Sequence, residues 1–176
     1  SSRKAFIIKN KDNLRYVSES LGPYVVAISK DGIGNKHVTL IGEMLYKNTT
    51  NGIKTIKRIN KDLINIELTS KDHANKLVDE QAKLLPYENY TCFIPLKFTT
   101  RRIIVNNVHS DLRIDSIGKY LMDKYTNIIS VRRIFRKNED NALIPTSKLD
   151  LLWQGTTIPD FLYIFYAKCN VTPYIY

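Results

Sequence analysis

The spacing of apolar residues alternates between two and three-to-four along this chain, and each switch marks a change of element. Tyr24-Val25-Val26-Ala27-Ile28 is a continuous β-prone run suited to a central strand. Asp31-Gly32 and Gly34 then read as a turn, and Val38, Ile41, Met44 and Leu45 recur at helical spacing. Alternation resumes over Ile53–Ile59, with Thr55 and Lys57 on one side and Ile56 and Arg58 on the other. Asn60-Lys61-Asp62 turns the chain, and Leu63–Leu68 returns as a strand whose Ile64, Ile66 and Leu68 share a face. Ser70 is suited to cap a helix burying Ala74, Leu77 and Val78, and Tyr90–Leu96 reads as a fourth strand.

A second pass through similar elements follows. The pattern predicts strands at Arg101–Val108, Ile128–Lys137, Thr146–Trp153 and Leu162–Val171, and a helix over Leu112–Lys124 with Gly118 as an imperfect interior residue. A second helix is due between Gly155 and Phe161, but Pro159 leaves room for a turn or so. Thr55-Ile56-Lys57-Arg58-Ile59 returns about 75 positions later as Ser130-Val131-Arg132-Arg133-Ile134, the mark of a duplicated module. The expectation is an α+β chain of two tandem ferredoxin-like β-α-β-β-α-β domains with antiparallel sheets. Their bounds are 23–97 and 98–176, after an N-terminal extension at 1–22 in which Ala5–Ile8 offers a short strand and Asn13–Leu21 a helical turn or two.

Charge adds a partner class. The chain carries 27 Lys and Arg against 17 Asp and Glu, a formal +10. Cut at Leu96, the parts hold 15 cations against 10 anions and 12 against 7, so both modules are basic and neither has a basic tail. This favours a polyanion, most simply nucleic acid. The two cysteines, Cys92 and Cys169, sit in apolar strands as reduced, buried thiols, which suggests an intracellular protein. No apolar run is long enough to span a membrane. His37, His73 and His109 are scattered, and neither a Cys/His metal spacing nor a glycine-rich phosphate loop occurs, so no enzymatic activity is expected.

The element order and the charge resemble the RNA recognition motif (RRM). Ile103-Ile104-Val105-Asn106-Asn107-Val108 is similar to that fold's first-strand motif, with Ile104 in place of the aromatic. Asp62–Leu68 resembles its third-strand motif, with Leu63 and Asn65 at the stacking positions; in the second module these positions fall to Lys148 and Asp150, while Leu149, Leu151 and Trp153 face the core. The scaffold is kept without its stacking rings, each of which is worth ~1 to 3 kcal/mol per base, so binding would lean on phosphates.

A closer likeness runs from Gly22 to Tyr176. Gly22-Pro23-Tyr24-Val25-Val26, Gly52–Arg58, Ala74–Val78, Ser130–Arg133, Pro145-Thr146, Gly155 before Ile158-Pro159, and Val171-Thr172-Pro173-Tyr174-Ile175 together resemble Gag-like first-open-reading-frame proteins of insect non-LTR (LINE-type, Jockey-like) retrotransposons. The resemblance implies a protein that coats single-stranded transposon RNA and self-associates into a cytoplasmic or nuclear ribonucleoprotein. It also implies CCHC zinc knuckles after Tyr176, so zinc is expected only if they follow and no cofactor in the residues at hand.

The candidate phosphate contacts are Arg132, Arg133, Arg136 and Lys137, their counterparts Lys57, Arg58 and Lys61, and Lys148. Strand alternation lets at most every other one of a run act together, and the same charges would serve equally to guard an edge strand. Arg101 and Arg102 either line a groove or pair with acids. Among the rings, Phe93, Trp153, Phe161 and Phe165 are expected to pack, whereas Tyr163, Tyr166, Tyr174 and Tyr176 are candidates to meet bases or another subunit. The alternative function is an RRM-derived interaction module with little RNA binding of its own.

Overall fold

A computed structural model describes residues 4–10, 14–48, 52–81 and 89–175. The chain divides into two compact units, Asp12–Thr99 and Ser1–Lys11 with Thr100–Tyr176. The expected N-terminal extension is therefore shared out: its first strand, β1 (Phe6–Ile7), pairs with a strand of the C-terminal unit, while Tyr16 is buried in the core of the other.

The first unit runs β2 (Tyr24–Ser29), α1 (Val38–Asn48), β3 (Ile53–Asn60), β4 (Leu63–Leu68), α2 (Lys71–Asp79), β5 (Thr91–Phe93) and a helical turn α3 (Leu96–Thr99). Its four strands are antiparallel in the order β3-β4-β2-β5, which is the RRM-like arrangement of a split βαβ. Val26, Ile28, Ile64 and Ile66 meet Ile41 and Leu45 of α1 and Ala74, Leu77 and Val78 of α2 in one apolar layer. The Ser70 hydroxyl caps α2 by accepting from the His73 amide at 3.1 Å. The fourth strand is shorter than expected, because the chain turns into α3 at Leu96.

Residues 14–21 hold no helix; Asn13, where a helical turn was expected to start, lies outside the described residues. The backbone of Tyr16 is bound on both sides by the Asn75 side-chain amide, at 2.8 and 2.9 Å. Beyond the end of β5, Val25 has no strand partner on that side among the described residues, and the Tyr16 hydroxyl serves its N–H at 2.6 Å and its carbonyl at 2.8 Å. One tyrosine thus replaces the missing rung of a ladder.

The second unit contains β6 (Thr100–Val105), α4 (Ile114–Lys124), β7 (Ile128–Lys137), β8 (Leu143–Gln154), β9 (Phe161–Ile164) and β10 (Ala167–Pro173). With β1 they form a six-stranded sheet, β1-β7-β8-β6-β10-β9, antiparallel throughout. Ile103, Val105, Val131, Leu149, Leu151 and Trp153 pack beneath Ile117 and Leu121 of α4. The chain as a whole is α+β with RRM-like antiparallel sheets.

Two local expectations change here. No helix forms between Gly155 and Phe161; Pro159 interrupts the stretch, and Leu162 and Ile164 of β9 are buried in the same core. The run expected to be one strand, Leu162–Val171, is a hairpin whose loop is Phe165-Tyr166, with Ile164 opposite Ala167. Both loop residues have positive φ, 46° and 69°, the conformation a two-residue type I′ turn demands and aromatic residues rarely adopt.

Gly118 also has a purpose. A Cβ there would lie 2.2 Å from the Phe6 ring, so the missing side chain on α4 is the seat of β1. Main-chain bonds from Ile8 and Lys9 to the Ile129 carbonyl, at 2.8 and 3.1 Å, continue the attachment.

Candidate nucleic-acid interface

Helix α4 covers one face of the second sheet, and strand alternation decides what stands on the other. The registers Ile104 opposite Asp150, Arg132 opposite Asp150 and Thr172 opposite Ile104 place these four residues across neighbouring strands on that open face. Arg102, Lys148, Lys168 and Tyr163 fall on the same side, two residues along their strands or paired with each other.

At the centre stands Asp150, 5% exposed. Arg102 grips it with two nitrogens, Nε to Oδ1 at 3.0 Å and Nη2 to Oδ2 at 2.6 Å, while Arg132 Nε donates to Oδ2 at 2.7 Å. Burial by itself would raise the Asp150 pKa; the hydrogen bonds and charges of Arg102 and Arg132 outweigh it and hold the carboxyl below its ordinary range. The Arg102 guanidinium also lies 3.7 Å from the centroid of the Tyr174 ring. Two guanidinium charges against one carboxylate leave this cluster a net cation, with Arg132 half exposed.

The predicted cations do not stay together. Arg133 is a correction: it is 5% exposed on the core side of β7, and its fork donates to the carbonyls of Val108 (2.6 Å), Thr146 (3.1 Å), His109 and Leu112 (both 2.9 Å). Desolvation lowers its pKa. It ties down the loop between β6 and α4 and has no face left for a phosphate. Arg101, one residue before Arg102, falls on the opposite side of β6, exposed, with Nη1 on the Thr100 carbonyl. Arg136 is exposed and shares the Arg132 side of β7, whereas Lys137 alternates away from it.

Lys148 is exposed on the open face, two residues from Asp150. In the first unit, Lys57 stands opposite Asn65 on the face away from the helices. Arg58 points the other way, its Nε donating to the Gly34 carbonyl at 2.7 Å, and Lys61 is exposed in the β3–β4 turn. Of the predicted cations, the open face of the second sheet therefore holds Arg102, Arg132, Arg136 and Lys148.

The sequence reading missed Lys168 and misplaced two rings. Phe161 and Phe165 were expected to pack, yet they are 39% and 37% exposed. Phe161 and Tyr163 meet edge to face at 5.5 Å on the open side of β9, and Lys168 Nζ sits 4.3 Å from the Phe161 centroid. Phe165 leans instead on Tyr120 of α4, 4.6 Å between centroids, and Tyr166 projects at the hairpin tip, 94% exposed. Trp153 is in the core as expected, its Nε1 donating to the Thr157 carbonyl. Tyr176 lies outside the described residues. Tyr163 was already a candidate, and its pairing with Phe161 carried a signal, the alternation Phe161-Leu162-Tyr163-Ile164, which is legible only once β9 is recognised as a separate strand.

A family model described as a domain of unknown function (DUF8775) matches residues 101–173, from β6 to the end of β10. No curated protein matches the chain. Similar solved structures include an Sxl-lethal protein/RNA complex, with TM-score 0.32 and 9% identity over 75% of this chain and 82% of that one. The first two RRM domains of yeast poly(U) binding protein give 0.31 and 8%, over 86% and 99%. The C. elegans NONO-1 homodimer gives 0.30 and 12%, over 78% and 53%. At such scores the fold is defined by the strand order itself.

Proposed function

We propose that this chain binds single-stranded RNA on the open face of its second sheet, chiefly through phosphates, and has no catalytic role. The observation that carries the reading is the pair Arg102 and Arg132 held by one buried acid on the face away from α4, with the exposed Lys148 two residues from that acid along β8. Asp150 orients the two arginines, and the bidentate Arg102 contact fixes its guanidinium plane. Anchored cations meet a polyanion with less side-chain ordering left to do on binding. The same acid cancels one of the three charges, so affinity should be moderate and strongly dependent on salt.

The resemblance to Gag-like retrotransposon proteins supports a finer version: the RNA is a transposon transcript coated by many copies in a ribonucleoprotein. Exposed apolar residues on the chain, such as Tyr46 and Leu40 of α1, are compatible with contacts between copies. The experiment is a titration of fluorescent oligouridine with the Arg132→Gln and Lys148→Gln variants beside wild type. Each substitution is expected to weaken binding alike for oligouridine and oligoadenosine, and loss confined to one of the two sequences would contradict phosphate-led contact.

A further inference from the structure

The central strands of the second sheet carry Ile104, Lys148 and Asp150 where stacking rings would serve an RRM-like fold, but rings are not absent from the face. They stand at its margin, on β9, the strand that occupies the place of a helix. Phe161 and Tyr163 are both exposed and 5.5 Å apart, while Leu162 and Ile164 between and after them anchor the strand in the core. The outer edge of β9 is held as well: the Tyr125 hydroxyl accepts from the Tyr163 amide at 2.8 Å.

We infer that Phe161 and Tyr163 form a displaced stacking site for unpaired RNA bases, with Lys168 as its phosphate contact; this rests on the phosphate-led reading above. Three observations argue for bases and against a purely apolar partner. Lys168 Nζ rests over the Phe161 ring at 4.3 Å, so the ring presents its π-face to the open side, where a base can replace the ammonium and leave the lysine to a phosphate. Among the described strand residues, the charged groups on this face are five cations, Arg102, Arg132, Arg136, Lys148 and Lys168, against the single acid Asp150, which complements a phosphate chain running past the rings. The hairpin that sets β9 in place is closed by Phe165 and Tyr166 at positive φ. That conformation is costly for such side chains, and Phe165 is held in it by its contact with Tyr120.

The double variant Phe161→Leu/Tyr163→Leu removes the rings while keeping β-compatible apolar side chains. Binding is read with oligouridine and with a strand of the same length carrying 2-aminopurine, whose fluorescence falls on stacking. Wild type is expected to quench the probe. The double variant is expected to lose that quenching and to bind oligouridine roughly 5- to 100-fold more weakly with an unchanged salt slope. Lys148→Gln is expected to lower the slope and leave the quenching intact. Salt-dependent binding with no quenching in wild type, or affinity unaltered in the double variant, would overturn the stacking site while the phosphate reading stands. No binding by wild type at low salt would overturn both. A dimer lost in the double variant, with RNA affinity intact, would assign the rings to a second copy and also overturn the site.

Discussion

Two neighbouring arginines, Arg132 and Arg133, have opposite fates because one strand position separates the two faces of a sheet. Arg133 satisfies four backbone carbonyls from within the core side. Replacing it with methionine leaves those carbonyls without their donors, and the expected loss is about 2 to 4 kcal/mol in urea unfolding. The salt slope of RNA binding by the folded fraction should not change, whereas a change would return Arg133 to the binding surface. Asp150 makes a different prediction, because its folded-state pKa is depressed. Over the window between that value and the unfolded one, near 3.9, the unfolded chain binds more protons, so stability rises with pH. Its contribution is full above about pH 4 and is lost as the pH falls through the folded pKa. Wild type should therefore lose stability more steeply than Asp150→Asn over that acid range, as followed by thermal unfolding.

The elements were legible where their pattern was local. In the first unit, alternation and helical spacing recover β2, α1, β3, β4 and α2 because each faces a single core layer. The β9–β10 hairpin was not legible, since Phe165-Tyr166 contains none of the glycine or asparagine that positive φ favours and sits within an unbroken β-prone run. Nor was the seat of β1, where Phe6 meets Gly118 more than a hundred residues away. The site was half legible: the cation-rich strand β7 was readable, but its division between faces and its shared acid depend on a register that only pairing sets. At this scale Gly118→Val should expel the Phe6 ring and release β1. Hydrogen exchange at Ile8 and Lys9, both bonded to Ile129, should accelerate at least tenfold while Arg132, whose backbone faces Asp150 of β8, stays protected. Equal acceleration at Arg132 would mean that β1 and the rest of the sheet open as one unit.

For the molecule as a whole, the formal +10 says that a polyanion will be attracted, and the folded sheet says which cations it meets. Arg102, Arg132, Arg136, Lys148 and Lys168 stand on the open face of the second sheet; Arg133 has been withdrawn from it, and Arg101 and Lys137 alternate to the other side. Net charge alone would treat these eight alike. The decisive experiment is the salt dependence of oligouridine affinity for wild type, Lys148→Gln and Lys137→Gln, measured side by side. The open-face assignment requires log K to fall linearly with log salt, and the slope to shrink by about 0.7 for Lys148→Gln and not for Lys137→Gln. Equal slopes for both variants, or no binding at low salt, would contradict it.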